Sequence, residues 1–73
     1  MIPISSLRDV VSAGGSVVVD AKNYMSSSLK DLALLAKESG CRVYIKNAKT
    51  LMTSTCIAIA HANPGNVIFD FTE

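Results

Sequence analysis

Ser27-Ser28-Leu29-Lys30-Asp31-Leu32-Ala33-Leu34-Leu35-Ala36-Lys37-Glu38-Ser39-Gly40-Cys41-Arg42-Val43-Tyr44-Ile45 is the stretch whose reading decides the fold. Leu29, Leu32, Ala33 and Ala36 recur at helical spacing, while Lys30, Lys37 and Glu38 fall on the opposite side, so an amphipathic helix is expected. Gly40 stops it, because glycine accepts the left-handed backbone of a helix end without a Cβ clash. Arg42-Val43-Tyr44-Ile45-Lys46 then alternates polar and apolar, which predicts a strand with Val43 and Ile45 on one face and Tyr44 on the other.

The same phrase stands on both sides of this segment. Ser5-Ser6-Leu7-x-x-Val10-Val11 leads through Gly14-Gly15 to Val17-Val18-Val19, and Ser54-Thr55-Cys56-x-x-Ile59-Ala60 leads through Gly65 to Val67-Ile68-Phe69. The strand starts recur about every 25 residues, inside the window of roughly 20–50 that marks repeat arrays. Three helix-strand units follow, at about residues 1–20, 21–46 and 47–73 of one small α/β domain. Successive strands joined through a helix take right-handed crossovers and lie parallel. Equivalent units have equivalent neighbours, so the expected sheet is three-stranded and parallel in the stacked order 1-2-3, with helices on one face. The order 2-1-3, with helices divided between the faces, is the alternative.

Within the units, Ser6 and Ser28 are expected to cap their helices, with Asp9 and Asp31 favourably placed in the first turns. Val17-Val18-Val19, with no polar alternation, reads as a strand buried on both faces. Cys56, Ile59, Ala60 and Ala62 stand in the equivalent helical positions of the third unit, and Asn63-Pro64-Gly65 ends its helix. Asn66 to Phe71 is the last expected strand. From Leu51 to Ala60 no side chain is ionised, whereas a surface helix ordinarily carries a charged outer face. This helix is therefore expected to be covered by another chain.

Composition narrows the function classes. Seventy-three residues make one domain near the lower limit at which a core is self-sufficient. Seven basic and six acidic residues, interspersed, lack the basic footprint of a nucleic-acid binder, and four scattered aromatics make no base-stacking platform. No apolar run reaches the roughly 20 residues of a membrane span, and Met1-Ile2-Pro3-Ile4-Ser5 lacks the layout of a signal peptide. A cytoplasmic protein without cofactor or metal is expected, with Cys41 and Cys56 as reduced, buried thiols.

Residues that could carry chemistry gather beyond the carboxyl ends of the strands, where open parallel sheets bind ligands. Lys22, Lys46 and Lys49 stand there beside the serine- and threonine-rich helix starts and form a candidate anion site. Asp20 and Asp70 end corresponding strands, with Lys46 at the matching place between them, which reads as a charge ladder. His61, near the end of the third helix, is expected at the surface or as a cap. It lies one position beyond the i, i+4 spacing from Cys56 that a shared metal would need. The candidate interaction surface is Met52, Ile57, Ile59, Val67, Phe69 and Phe71, combining the uncharged helix with the open edge of the last strand.

Two resemblances add to this reading. Val43-Tyr44-Ile45-Lys46-Asn47-Ala48, Leu51-Met52-Thr53-Ser54, Ile57-Ala58-Ile59-Ala60 and Gly65-Asn66-Val67-Ile68-Phe69-Asp70-Phe71 look like short bacterial α/β repeat modules of roughly leucine-rich-repeat length. That architecture implies a solenoid-like, non-enzymatic, protein-binding module, here a self-associating one. Val17-Val18-Val19-Asp20, Tyr24-Met25-Ser26-Ser27-Ser28-Leu29, Leu32, Leu35 and Gly40 resemble the segment of STAS domains, the anti-sigma-factor antagonist fold, that carries a regulatory serine. That resemblance implies phosphorylation at Ser26 or Ser27, changing partner binding through charge at a helix start.

Overall fold

The computed structural model describes residues Met1–Glu73. Its elements alternate between helix and strand: α1 (Ile4–Ser12), β1 (Val17–Asp20), α2 (Ser26–Ser39), β2 (Val43–Lys46), α3 (Thr53–Ala62) and β3 (Val67–Phe69), with 3₁₀ turns at Ala21–Asn23 and Ala48–Thr50. The three strands form one parallel sheet in the order β1-β2-β3. Val17, Val43 and Val67 lie side by side in register, as do Val19, Ile45 and Phe69. α1 packs on α2 and α2 on α3, so the helices make one layer on one face of the sheet.

Between the layers lies the core. Leu29, Leu32, Ala33 and Ala36 of α2 and Val43 and Ile45 of β2 are fully buried, because the middle unit has a neighbour on each side. Leu7 and Val11 from α1, Val19 from β1, and Ile59 and Ala62 from α3 complete it. Burying a leucine, valine or isoleucine side chain stabilises a fold by about 1.5–3 kcal/mol, and the middle unit supplies half of these groups.

Three details depart from the sequence reading. Val17-Val18-Val19 is covered on one face only, since Val18 is 63% exposed. A β-branched run of three satisfies either a doubly covered strand or an edge strand, and here the helices all went to the other side. Secondly, the serines do not cap. α1, α2 and α3 begin after Pro3, Met25 and Met52, whose extended backbones turn their carbonyls onto the first helical turn, with no side-chain cap at any of them. Leu7, Leu29 and Cys56 donate their backbone N–H to those three carbonyls at 3.4, 3.1 and 3.1 Å. Each helix instead has an apolar residue just before its cap (Ile2, Tyr24, Leu51) and another at the fifth place after that cap residue's predecessor (Leu7, Leu29, Cys56). That is the spacing of a hydrophobic staple, which fixes the entry angle of the chain. The serines thus occupy the first turn itself.

Thirdly, β3 ends at Phe69 rather than Phe71, although the ladder runs on: Asp70 donates its N–H to Ile45 at 2.9 Å and accepts from Ala48 at 3.0 Å. The helix ends follow expectation. Gly40 sits at φ 71°, and the N–H groups of Gly40 and Cys41 return to the carbonyls of Lys37 and Ala36, closing α2 in a Schellman turn. No helix is long and apolar enough to cross a membrane.

Candidate functional site

Alternation along the strands sets the geometry of every candidate residue. Val18, Tyr44 and Ile68 are partners in register and point away from the helices, so the free face of the sheet carries an apolar rung across all three strands. Beyond it, at the carboxyl ends, lies the rung Asp20, Lys46 and Asp70. The expected ladder of alternating charge is present as a register.

The partners within that ladder are local. Asp20 accepts from the backbone N–H of Lys22 at 2.8 Å and from the side-chain amide of Asn47 at 2.9 Å. Asp70 accepts from the backbone N–H of Thr72 at 2.8 Å and from its hydroxyl, and Tyr44 donates its phenol to the other oxygen at 3.4 Å. Both aspartates therefore hold turns that leave the sheet. These bonds hold the pKa of both carboxyls below the ordinary carboxylate value: for Asp20 the Lys22 N–H is the largest cause and the Asn47 amide the next, and for Asp70 the Thr72 hydroxyl leads. Lys46 places its ammonium 3.6 Å from the carboxylate of Glu73, the one ion pair in the structure.

Lys22 and Lys49 are exposed on the two 3₁₀ turns, and Lys46 is half-buried on the strand between them. The three lysines of the candidate anion site share this end of the sheet with Asp20, Asp70 and Glu73. Three carboxylates offset three ammonium groups there. Ser26 and Ser27 are exposed on the first turn of α2, and Ser28 is half-buried.

The candidate interaction surface divides. Met52 is 73% exposed, Ile57 53% and Phe71 55%, and all three belong to the third unit. Ile59 is 1% exposed, and its side chain is part of the core rather than of a docking surface. Two residues on from Ile57, it falls across the helix, where the 100° step per residue turns it inward. Val67 and Phe69 face the helices from the edge strand and are half-covered, with Phe69 stacked on Phe71 at 5.9 Å between ring centroids. The outer side of α3 is left to Ile57, Ala58 and His61.

Cys41 and Cys56 are unpaired and buried, and burial raises the Cys56 thiol above its ordinary value of 9.0. The sequence reading missed two groups. Asn63 is 1% exposed and donates its side-chain amide to the carbonyl of Cys41 at 3.1 Å, tying the end of α3 to the start of the second strand segment. Its place before Pro64-Gly65 suggested only a helix stop. Val18 and Ile68, the open-face residues, were legible by parity once the helices were known to lie on one side.

No protein-family model, no curated protein and no solved structure matches this chain.

Proposed function

We propose that this protein is a non-enzymatic protein-protein interaction module, a miniature solenoid that associates with a second copy of itself through the third unit. One observation carries the reading. α3 and the turn before it present Met52 and Ile57 to solvent, Phe71 stands exposed beyond β3, and no charge intervenes from Leu51 to Ala60. An exposed apolar surface of this kind, at the open end of a stack of units, is where another chain gains most by docking.

The chemistry-bearing side chains have structural employment, which supports a binding rather than a catalytic role. Asp20 and Asp70 hold turns, and Cys41 and Cys56 are buried. Two buried free thiols suit a reducing compartment, so the cytoplasm is the proposed location. Light scattering across a concentration series tests the proposal, with association expected and lost in Ile57→Lys. A strict monomer at high micromolar concentration would remove it.

A second reading has its own observation. Ser26 and Ser27 are exposed on the first turn of α2 and cap nothing, so the structural explanation for their presence is withdrawn. A phosphate there would sit at the positive end of the helix and change the surface a partner meets. Phosphate analysis of protein from its native host decides this reading, and unmodified serines under all growth conditions would end it.

A further inference from the structure

The junction between neighbouring units is built twice in this chain, and the two ends of the stack carry its unmatched halves. In the strands the same bond recurs: Val17 donates its backbone N–H to the carbonyl of Arg42 at 3.2 Å, and Val43 donates to that of Asn66 at 3.0 Å. Val67 is the next donor of that rung, and its N–H points to the open side of β3, because successive residues of a strand bond to opposite edges. Ser16 holds the place of Arg42 and Asn66 in the first unit, and by the same alternation its carbonyl points to the open side of β1.

The helices repeat this asymmetry. Val10, Leu32 and Ile59 hold one place in the recurring phrase, on the flank towards the preceding unit; Leu32 and Ile59 are buried, whereas Val10, with no helix before it, is 46% exposed. Val11, Ala33 and Ala60 hold the next place, towards the following unit; Val11 and Ala33 are buried and Ala60 is half-covered. Arg8, one residue after Leu7, lines the groove between α1 and α2 beside Asp31 and Leu35. Ile57 stands one residue after Cys56, so it lies on the corresponding flank of α3, where no helix follows.

The two ends also match in shape. A depression of about 300 Å³ at the carboxyl end of β1 is lined by Ile2, Leu7, Val19 and Tyr24, and by Val18 from the opposite face, so it opens around the free edge of the strand. At the carboxyl end of β3, on the other edge of the sheet, stand the stacked rings of Phe69 and Phe71. Phe69 shares a rung with Ile45 and Val19, so a strand added in register beside β1 brings this ring over Val19 and Leu7.

We propose that a second copy of this chain docks head to tail, with β3 of one copy pairing in parallel with β1 of the next and α3 packing on α1, so that the junction between units is made a third time. Val67 then donates to the carbonyl of Ser16 of the next copy, Ile57 and Ala60 cover its Val10, and the Phe69–Phe71 pair enters the depression beside its Leu7. Only the parallel sense brings the two carboxyl ends together. Such an interface is heterologous and leaves one open end of each kind, so growth does not stop at a dimer.

Its strength is limited. A helix of ten residues is about 15 Å long and two layers are about 20 Å deep, which gives on the order of a few hundred Å² per copy, against about 800 Å² in a standard interface. The register also sets Asp70 beside Asp20 of the next copy, a like-charge neighbour that Lys22 offsets only in part. Each junction is therefore weak, forms at high micromolar concentration, and is strengthened by salt.

This inference rests on the self-association reading and names the surface that the third unit meets, so the two can fail separately. Sedimentation velocity from low micromolar to low millimolar concentration follows the wild type, Val10→Lys and Val18→Pro, which block the first unit, Ile57→Lys, which blocks the third, and Asp70→Asn. Proline at position 18 removes an N–H that faces the open edge, while the bonds to β2 come from Val17 and Val19. Circular dichroism verifies each fold, and should the proline variant unfold, Val10→Lys carries the same block. The wild type is expected to grow past the dimer, each blocked variant to lose about tenfold or more in association, and a mixture of Val10→Lys with Ile57→Lys to recover a one-to-one pair that grows no further. Asp70→Asn is expected to tighten growth about two- to fivefold. A closed dimer abolished by Ile57→Lys but untouched by Val10→Lys would overturn head-to-tail docking and leave the third-unit reading standing. A wild type monomeric throughout would remove both. A mixture that does not pair, or Asp70→Asn without tightening, would overturn the docking alone.

Discussion

The side-chain amide of Asn63 reaches the carbonyl of Cys41 at 3.1 Å inside the protein, and Asn66 in turn donates to the Asn63 side-chain oxygen at 3.4 Å. Asn63 is the single buried polar residue, and it joins the end of the third helix to the turn that leaves the second.

Asn63→Ala leaves the Cys41 carbonyl without its donor in a place water does not reach. The cost is about 1–3 kcal/mol of folding free energy, a large share of what a domain this size can have. Urea unfolding monitored by circular dichroism reads it. A change under about 0.5 kcal/mol would mean that the carbonyl finds water after all.

Ile57 and Ile59 are two residues apart on α3 and respond oppositely. Ile59→Ala creates a cavity in the core and costs about 2–5 kcal/mol, and Ile59→Lys prevents folding. Ile57→Lys adds a charge to a side chain already 53% exposed and leaves the helical circular dichroism spectrum intact. Equal destabilisation by the two lysines would show that the outward face of α3 has been misassigned.

Acid weakens the fold through Asp20 and Asp70. Both carboxyls are held below their ordinary value of 3.8 in the folded chain. A folded value below the unfolded one contributes stability above pH 3.8, and that contribution is lost as the pH falls through the folded values. Thermal melts from neutral pH down to strongly acid solution are expected to fall off mainly below about pH 4. In Asp20→Asn/Asp70→Asn the decline flattens, because each asparagine oxygen still accepts the turn N–H of Lys22 or Thr72 without titrating, although the bonds from Asn47 and Tyr44 to the second oxygen are given up. An acid limb equally steep in that variant would assign it to other carboxyls.

The thiols report on opening of the core. Cys41 and Cys56 are 4% and 8% exposed, and burial also keeps the Cys56 thiol protonated at neutral pH. Since the thiolate is the nucleophile, a maleimide or aromatic disulfide reagent labels both cysteines quickly in guanidinium and slowly in native buffer. Rapid labelling of Cys56 in native buffer would indicate that the start of α3 opens locally.

Much of the fold was legible because repetition and periodicity are local signals. The Leu29, Leu32, Ala33, Ala36 stripe is wholly buried, Gly40 takes the left-handed turn, and Tyr44 faces away from Val43 and Ile45, all as a pattern of 3.6 or 2 residues dictates. The serine caps misled for a related reason. Serine before an apolar stripe is a frequent cap, but a helix begins where the chain's entry is fixed, and here Tyr24 and Leu51 pack on the core and move the starts back to Met25 and Met52. The candidate surface was half legible: lack of charge marked α3, but which isoleucine turned outward depended on the helix's rotation against α2.

By itself, the sequence determined three helix-strand units and their parallel strands, since these follow from spacing within a unit, and likeness between units favoured the stacked order over 2-1-3. Only the tertiary structure decided between the two strand orders, set Val18, Tyr44 and Ile68 as a rung on the bare face, and brought Asp20, Lys46 and Asp70 together beyond it. The physical reason is distance along the chain. Residues 18, 44 and 68 have no relation in sequence until the crossovers and the strand register bring them side by side.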